Sequence, residues 1–128
     1  MIDQQRADAL VPEIGSMIVW DKVTRELDWD ALSLVVTVAP GVVQMHGFAY
    51  DAAGKPTPFV PDADALDDRF KELAEAMREP EGRVWKSALV QIVRATSKIH
   101  FDFEYDDAGR WKVTPANIAT MPEQLRPK

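Results

Sequence analysis

The sequence has no cysteine, only two histidines, His46 and His100, and no apolar run longer than Leu34 to Val43. The first absence excludes disulfides and a thiol nucleophile. That apolar run is about half of what a bilayer crossing needs, and Thr37, Pro40 and Gly41 interrupt it, so no transmembrane helix is expected. Arg6 is the one basic residue near the start, among Asp3, Asp8 and Glu13. That is the wrong pattern for a secretory signal and points to the cytoplasm. There is also no glycine-rich phosphate loop and no paired histidine motif at helical spacing.

What is present is 128 residues, 46% of them hydrophobic and 28% charged, with a formal net charge of -6. A chain of this size buries roughly two thirds of its unfolded surface in one core without metal or disulfide. The acid is concentrated at residues 1 to 30 and 61 to 83, each window carrying a net -4, whereas residues 84 to 128 are net basic. A field of that sign repels nucleic acid and steers basic partners inward, although charge on this scale also serves ordinary solubility.

Periodicity supplies the elements. Ala7, Leu10, Val11, Ile14, Met17 and Ile18 form one stripe on a helix from Asp3 to Ile18, with Pro12 predicting a kink or a break. Trp20 to Trp29 mixes strand and loop signals and could hold a short edge strand. Ser33 to Ala39 and Val42 to Tyr50 read as a hairpin turning at Pro40 and Gly41, and Asp51 to Pro58 as a loop. A second helix opens at Pro61 with Asp62 or Asp64, buries Leu66, Phe70, Leu73, Ala74 and Met77, and stops at Pro80 and Gly82. Val84 to Ala95 reads as a central strand with Trp85, Leu89 and Val93 on one face and Ala88, Val90 and Ile92 on the other. Lys98 to Tyr105 alternates, with Ile99, Phe101, Phe103 and Tyr105 inward and Lys98, His100, Asp102 and Glu104 outward.

The expected fold class is α+β: an antiparallel sheet of four or five strands with helices on one face and the polar face open. Residues 1 to 113 make the single domain, and the proline-containing tail 114 to 128 is expected to pack loosely. Tyr50-Asp51-Ala52-Ala53-Gly54-Lys55 is echoed by Tyr105-Asp106-Asp107-Ala108-Gly109-Arg110. Shared turn chemistry accounts for the echo without a duplication, and in either case the element order reads as two αββ units.

Candidate chemistry is sparse. His100, Asp102 and Glu104 offer nitrogen and oxygen donors on one strand face, with a second histidine to be reached across the sheet. Residues two apart on a strand are nearly 7 Å apart, however, which favours a solvated face over a metal centre. His46 reads as a satisfied sheet histidine. Asp106 and Asp107 read as turn formers, because acid/base pairs need carboxylates in different environments. No metal, cofactor or catalytic residue is expected. Trp20, Trp29 and Trp111 lie at element ends where an indole can be half exposed, and an exposed tryptophan beside acids is suited to anchoring a protein partner.

The run from Trp85 to Trp111, with Lys98-Ile99-His100-Phe101-Asp102-Phe103-Glu104-Tyr105-Asp106-Asp107 leading to Arg110 and Trp111, resembles the YezG-type family of bacterial immunity proteins. The order of elements is similar across nearly the whole chain. Ser97 stands where the family turn often has glycine, and the proline-rich tail has no counterpart in the family pattern. The resemblance implies a non-catalytic, cytoplasmic antitoxin that binds and neutralises a cognate toxin, often a nuclease. It supplies no binding residue. From charge and aromatic chemistry, the partner-binding candidates are Asp62, Asp64, Asp67 and Asp68 at the second helix start, and Asp102, Glu104, Asp106, Asp107 and Trp111 at the last strand and turn. Nucleic acid and membrane are not expected partners. The alternative class is an acidic type III secretion chaperone-like protein, a homodimer holding an effector segment in an apolar groove.

Overall fold

The computed structural model describes residues 3–39, 42–62 and 64–127. The elements run α1 (Gln4–Val19), α2 (Lys22–Arg25), β1 (Ala31–Ala39), β2 (Val42–Tyr50), β3 (Pro56–Phe59), α3 (Asp64–Ala76), β4 (Ser87–Val93), β5 (Lys98–Glu104) and α4 (Met121–Leu125). The strands form one antiparallel sheet in the order β3-β2-β1-β4-β5, so the protein is α+β. The reversal expected at Pro40 and Gly41 lies outside the described residues.

Helix α1 starts where the Asp3 side chain accepts from the Arg6 N–H and runs unbroken through Pro12. The carbonyl that Pro12 leaves without a donor belongs to Asp8, an exposed residue, so water can satisfy it and the cost expected of an interior proline is reduced. The first core lies between the sheet and the pair α1 and α3, and is built from Leu10, Ile14, Ile18, Leu66, Phe70, Leu73, Leu34, Val36 and Val90 among others. Gly15 lets α1 approach β5 closely, since a Cβ there would stand 2.3 Å from Ile99 Cδ1.

Strands β1 and β4 pair at the centre, with Leu34 opposite Val90, and β2 and β5 flank them. The αββ order therefore occurs twice about the middle of the sheet. The echoing tyrosines are not equivalent within it: Tyr50 packs on the face away from the helices, Tyr105 on the helix face.

Several expectations change. Residues 22–25 form a helical turn instead of an edge strand, because Asp21 caps it by accepting from Val23 N–H. The end of the expected 51–58 loop becomes the edge strand β3, where Pro56 and Pro58 are tolerated because one side has no neighbour. Trp85 does not share a face with Leu89. Lys86 N–H donates to the Glu104 carbonyl at 2.8 Å while Ser87 holds the register position opposite Glu104. Two residues thus face one, a bulge that turns Trp85 onto the helix face against Phe103.

The largest change concerns the second face, which is not left open. Residues from Trp111 onward cross it and form a second core in which Trp111, Met121 and Leu125 pack with Val35, Phe48, Tyr50 and Leu89. The Tyr50 hydroxyl donates to the Pro122 carbonyl and lies 3.2 Å from Ser33 Oγ. Gln91 Nε2 donates to the Leu125 carbonyl at 2.9 Å, and Arg126 reaches the Gly54 carbonyl at 2.7 Å with its guanidinium over the Tyr50 ring. The tail expected to pack loosely is a strap, because its few apolar residues meet apolar positions of β1, β2 and β4 that face away from the helices.

Candidate partner-binding surface

The acids singled out from the sequence fall into two groups with different surroundings. At the start of α3, Asp62, Asp64 and Asp68 are exposed and Asp67 is partly so. Among the described residues no ion pair reaches these four, since the nearby Arg69 is held by Glu13 and Glu72. Asp64 and Asp67 lie in the first helical turn, where the helix dipole favours negative charge. The segment before α3 is fixed to the end of α1: the Asp62 N–H donates to both oxygens of the buried Asp21 carboxylate, each at 3.1 Å. This junction sets Asp62 beside Trp20, whose indole is 69% exposed, with the other three acids following along the first turns of α3. Met17, Trp20, Asp21, Lys22 and Asp62 line a shallow depression there.

The second group is committed to its own fold. Asp106 pairs with Arg83 at 2.7 Å, and Asp107 accepts from Gly109 N–H at 2.9 Å. Glu104 accepts from the N–H groups of Asp106 and Asp107 and pairs with Arg110. The Asp106 and Asp107 amides, with the Arg110 guanidinium adding to them, hold its carboxyl below the usual carboxylate range. Asp102 lies 3.6 Å from His100 on the same strand. Arg83 and Asp106 lie beyond the C-terminal end of α3, and a 13-residue helix is about 20 Å long, so the two groups do not form one surface. Trp111 is 7% exposed, an anchor of the second core under Arg110. Its indole is unavailable as the interface anchor expected from the sequence, because the strap carries it inward.

The two histidines are kept apart. His46 is on β2 opposite Val35 and His100 on β5 opposite Gln91. Three strand spacings separate them, about 14 Å, so the second histidine sought for a centre at His100 is out of reach. Among the described residues no group of three histidine, aspartate or glutamate side chains could hold a metal. His46 is bonded to the Trp111 backbone, and its Nε2 is buried without a partner. Burial lowers its pKa from 6.5, and the Trp111 bond opposes this in part.

The best-formed candidate surface is therefore Trp20 with the α3 acids. Trp20 was legible as an aromatic at an element end, but its position next to Asp62 depends on a contact across 41 residues that has no local signal. No helix of the described residues is long and apolar enough to cross a membrane. No protein-family model matches the sequence, and a search of curated proteins finds no match.

Proposed function

We propose that this chain is an immunity protein of the antitoxin type that binds and neutralises a basic, nuclease-type toxin in the cytoplasm, with no chemistry of its own. The observation that carries this reading is an indole 69% exposed with Asp62 beside it and three further carboxylates in the first turns of α3, none of them in an ion pair among the described residues. A large aromatic supplies the desolvated anchor of an interface. The carboxylates supply a field that speeds encounter with a basic surface and occupies the places where phosphates would bind. The resemblance to the YezG-type family supports the same reading. A chaperone of this size needs an apolar groove open to an extended segment, whereas here the second face is filled by the chain's own strap.

The test is affinity for the captured partner. Trp20→Ala is expected to weaken binding by about 2 kcal/mol or more, and the triple reversal of Asp64, Asp67 and Asp68 to lysine to slow association most at low salt, with melting temperature little changed in both. Binding that survives both changes would refute this surface.

A further inference from the structure

The two edges of the sheet are built differently. β3 is four residues long and carries Pro56 and Pro58, which lack the N–H that a neighbouring strand would use. β5 has seven residues and no proline, and no sixth strand flanks it among the described residues. It also lacks a charged side chain pointing inward, a common device for protecting an edge: Ile99, Phe101 and Phe103 lie on the helix face, each only partly buried. Because the Glu104 carbonyl points to β4, strand alternation turns the backbone N–H and C=O of Ile99, Phe101 and Phe103 outward.

We propose that β5 is the seam of a homodimer, in which the Lys98–Glu104 strands of two copies pair antiparallel about Phe101. This one strand is self-complementary. In that register every residue of β5 is paired and the three outward-facing residues meet one another, as an antiparallel ladder requires. On the polar face Lys98 falls opposite Glu104 of the second copy, and His100 opposite Asp102. On the apolar face Ile99 falls opposite Phe103, and Phe101 opposite Phe101, so half-covered side chains gain cross-strand neighbours. The result is a continuous ten-stranded sheet with α1 and α3 of both copies on one side and both straps on the other. The α3 acids lie outside the seam, on a helix that contacts β1 and β2, while Trp20 lines one cavity with Ile99 at the end of the seam.

The experiment is sedimentation equilibrium of the full chain from about 1 to about 100 μM, with charge-swapped variants. The unaltered chain is expected to sediment as a dimer of 14.4 kDa subunits. His100→Glu sets like charges opposite each other twice across the seam and is expected to raise the dimer dissociation constant about tenfold. The double change His100→Glu with Asp102→Lys restores opposite charges and should return it to within about threefold. Both side chains are more than half exposed, so the fold tolerates the changes, and unchanged melting temperatures check this. A single 14.4 kDa species over the whole range, a dimer indifferent to His100→Glu, or a double variant no better than the single would each overturn the proposal.

Discussion

His46 and His100 occupy related places on β2 and β5, and the strap makes them different. It covers His46, whose Nε2 is left without a partner, while the His100 side chain is 64% exposed. An unfolded chain takes up a proton at His46 near 6.5, and the folded chain does so only at lower pH. The unfolded state then binds more protons in that interval, so the stability His46 contributes is present above pH 6.5 and is lost as pH falls. Melting temperature should decline from pH 7.5 to about 5.5, above the range where Glu75 and Glu104, whose pKa values are lowered, take up protons. His46→Gln should flatten that decline, and an equal slope in the variant would assign the effect elsewhere. Ser97 closes the β4–β5 turn at φ 54°, a left-handed conformation that costs a non-glycine residue about 1–2 kcal/mol. Ser97→Gly is therefore expected to stabilise the fold by up to about 1 kcal/mol in denaturant titration, the gain being reduced by the entropy of an unfolded glycine. Glycine is also the residue the family resemblance led one to expect there.

At the scale of elements, legibility followed periodicity. The stripes of α1 and α3 and the alternation of β5 could be read directly, because each buries one face against a continuous core. The register position opposite Glu104, where a bulge turns Trp85, could not, since it depends on the partner strand and leaves no mark in Val84 to Ala95 itself. The strap was equally hidden: Met121 and Leu125 are too few for a periodic signal, and they gain meaning only from Val35, Phe48 and Leu89 across the sheet. Leu125 is 1% exposed, so Leu125→Ala should cost about 2–4 kcal/mol. Tyr50→Phe, which removes the hydroxyl shared by Ser33 and Pro122, should cost about 1–2 kcal/mol. Chemical denaturation checks both, and values near zero would mean that the strap is not part of the cooperative core.

At the scale of the molecule, the acid was legible and its arrangement was not. Eight aspartates and glutamates stood out in the sequence, and folding divides them. Asp102, Glu104, Asp106 and Asp107 turn to His100, Arg110, Arg83 and local amides, while Asp62 beside Trp20 and Asp64, Asp67 and Asp68 on α3 make no ion pair among the described residues. The division has a physical source: the last strand and turn meet Arg110 from their own segment and Arg83 from the segment after α3, together with local amides. At the start of α3 the nearby Arg69 is taken by Glu13 and Glu72, and Lys22, which lines the depression with Asp62, forms no ion pair with the four acids among the described residues. Reversing Asp106 and Asp107 to lysine should accordingly lower melting temperature more than partner affinity, the opposite of the outcome for Asp64, Asp67 and Asp68.

The most direct test of the central claim is capture from the native host lysate on the tagged chain, at low and at high salt, with Trp20→Ala alongside and the retained proteins identified by mass spectrometry. The account predicts one folded, basic toxin domain, retained at low salt, weakened at high salt and lost with Trp20→Ala. Retention of an unfolded effector segment, or of a partner indifferent to both salt and Trp20, would contradict it.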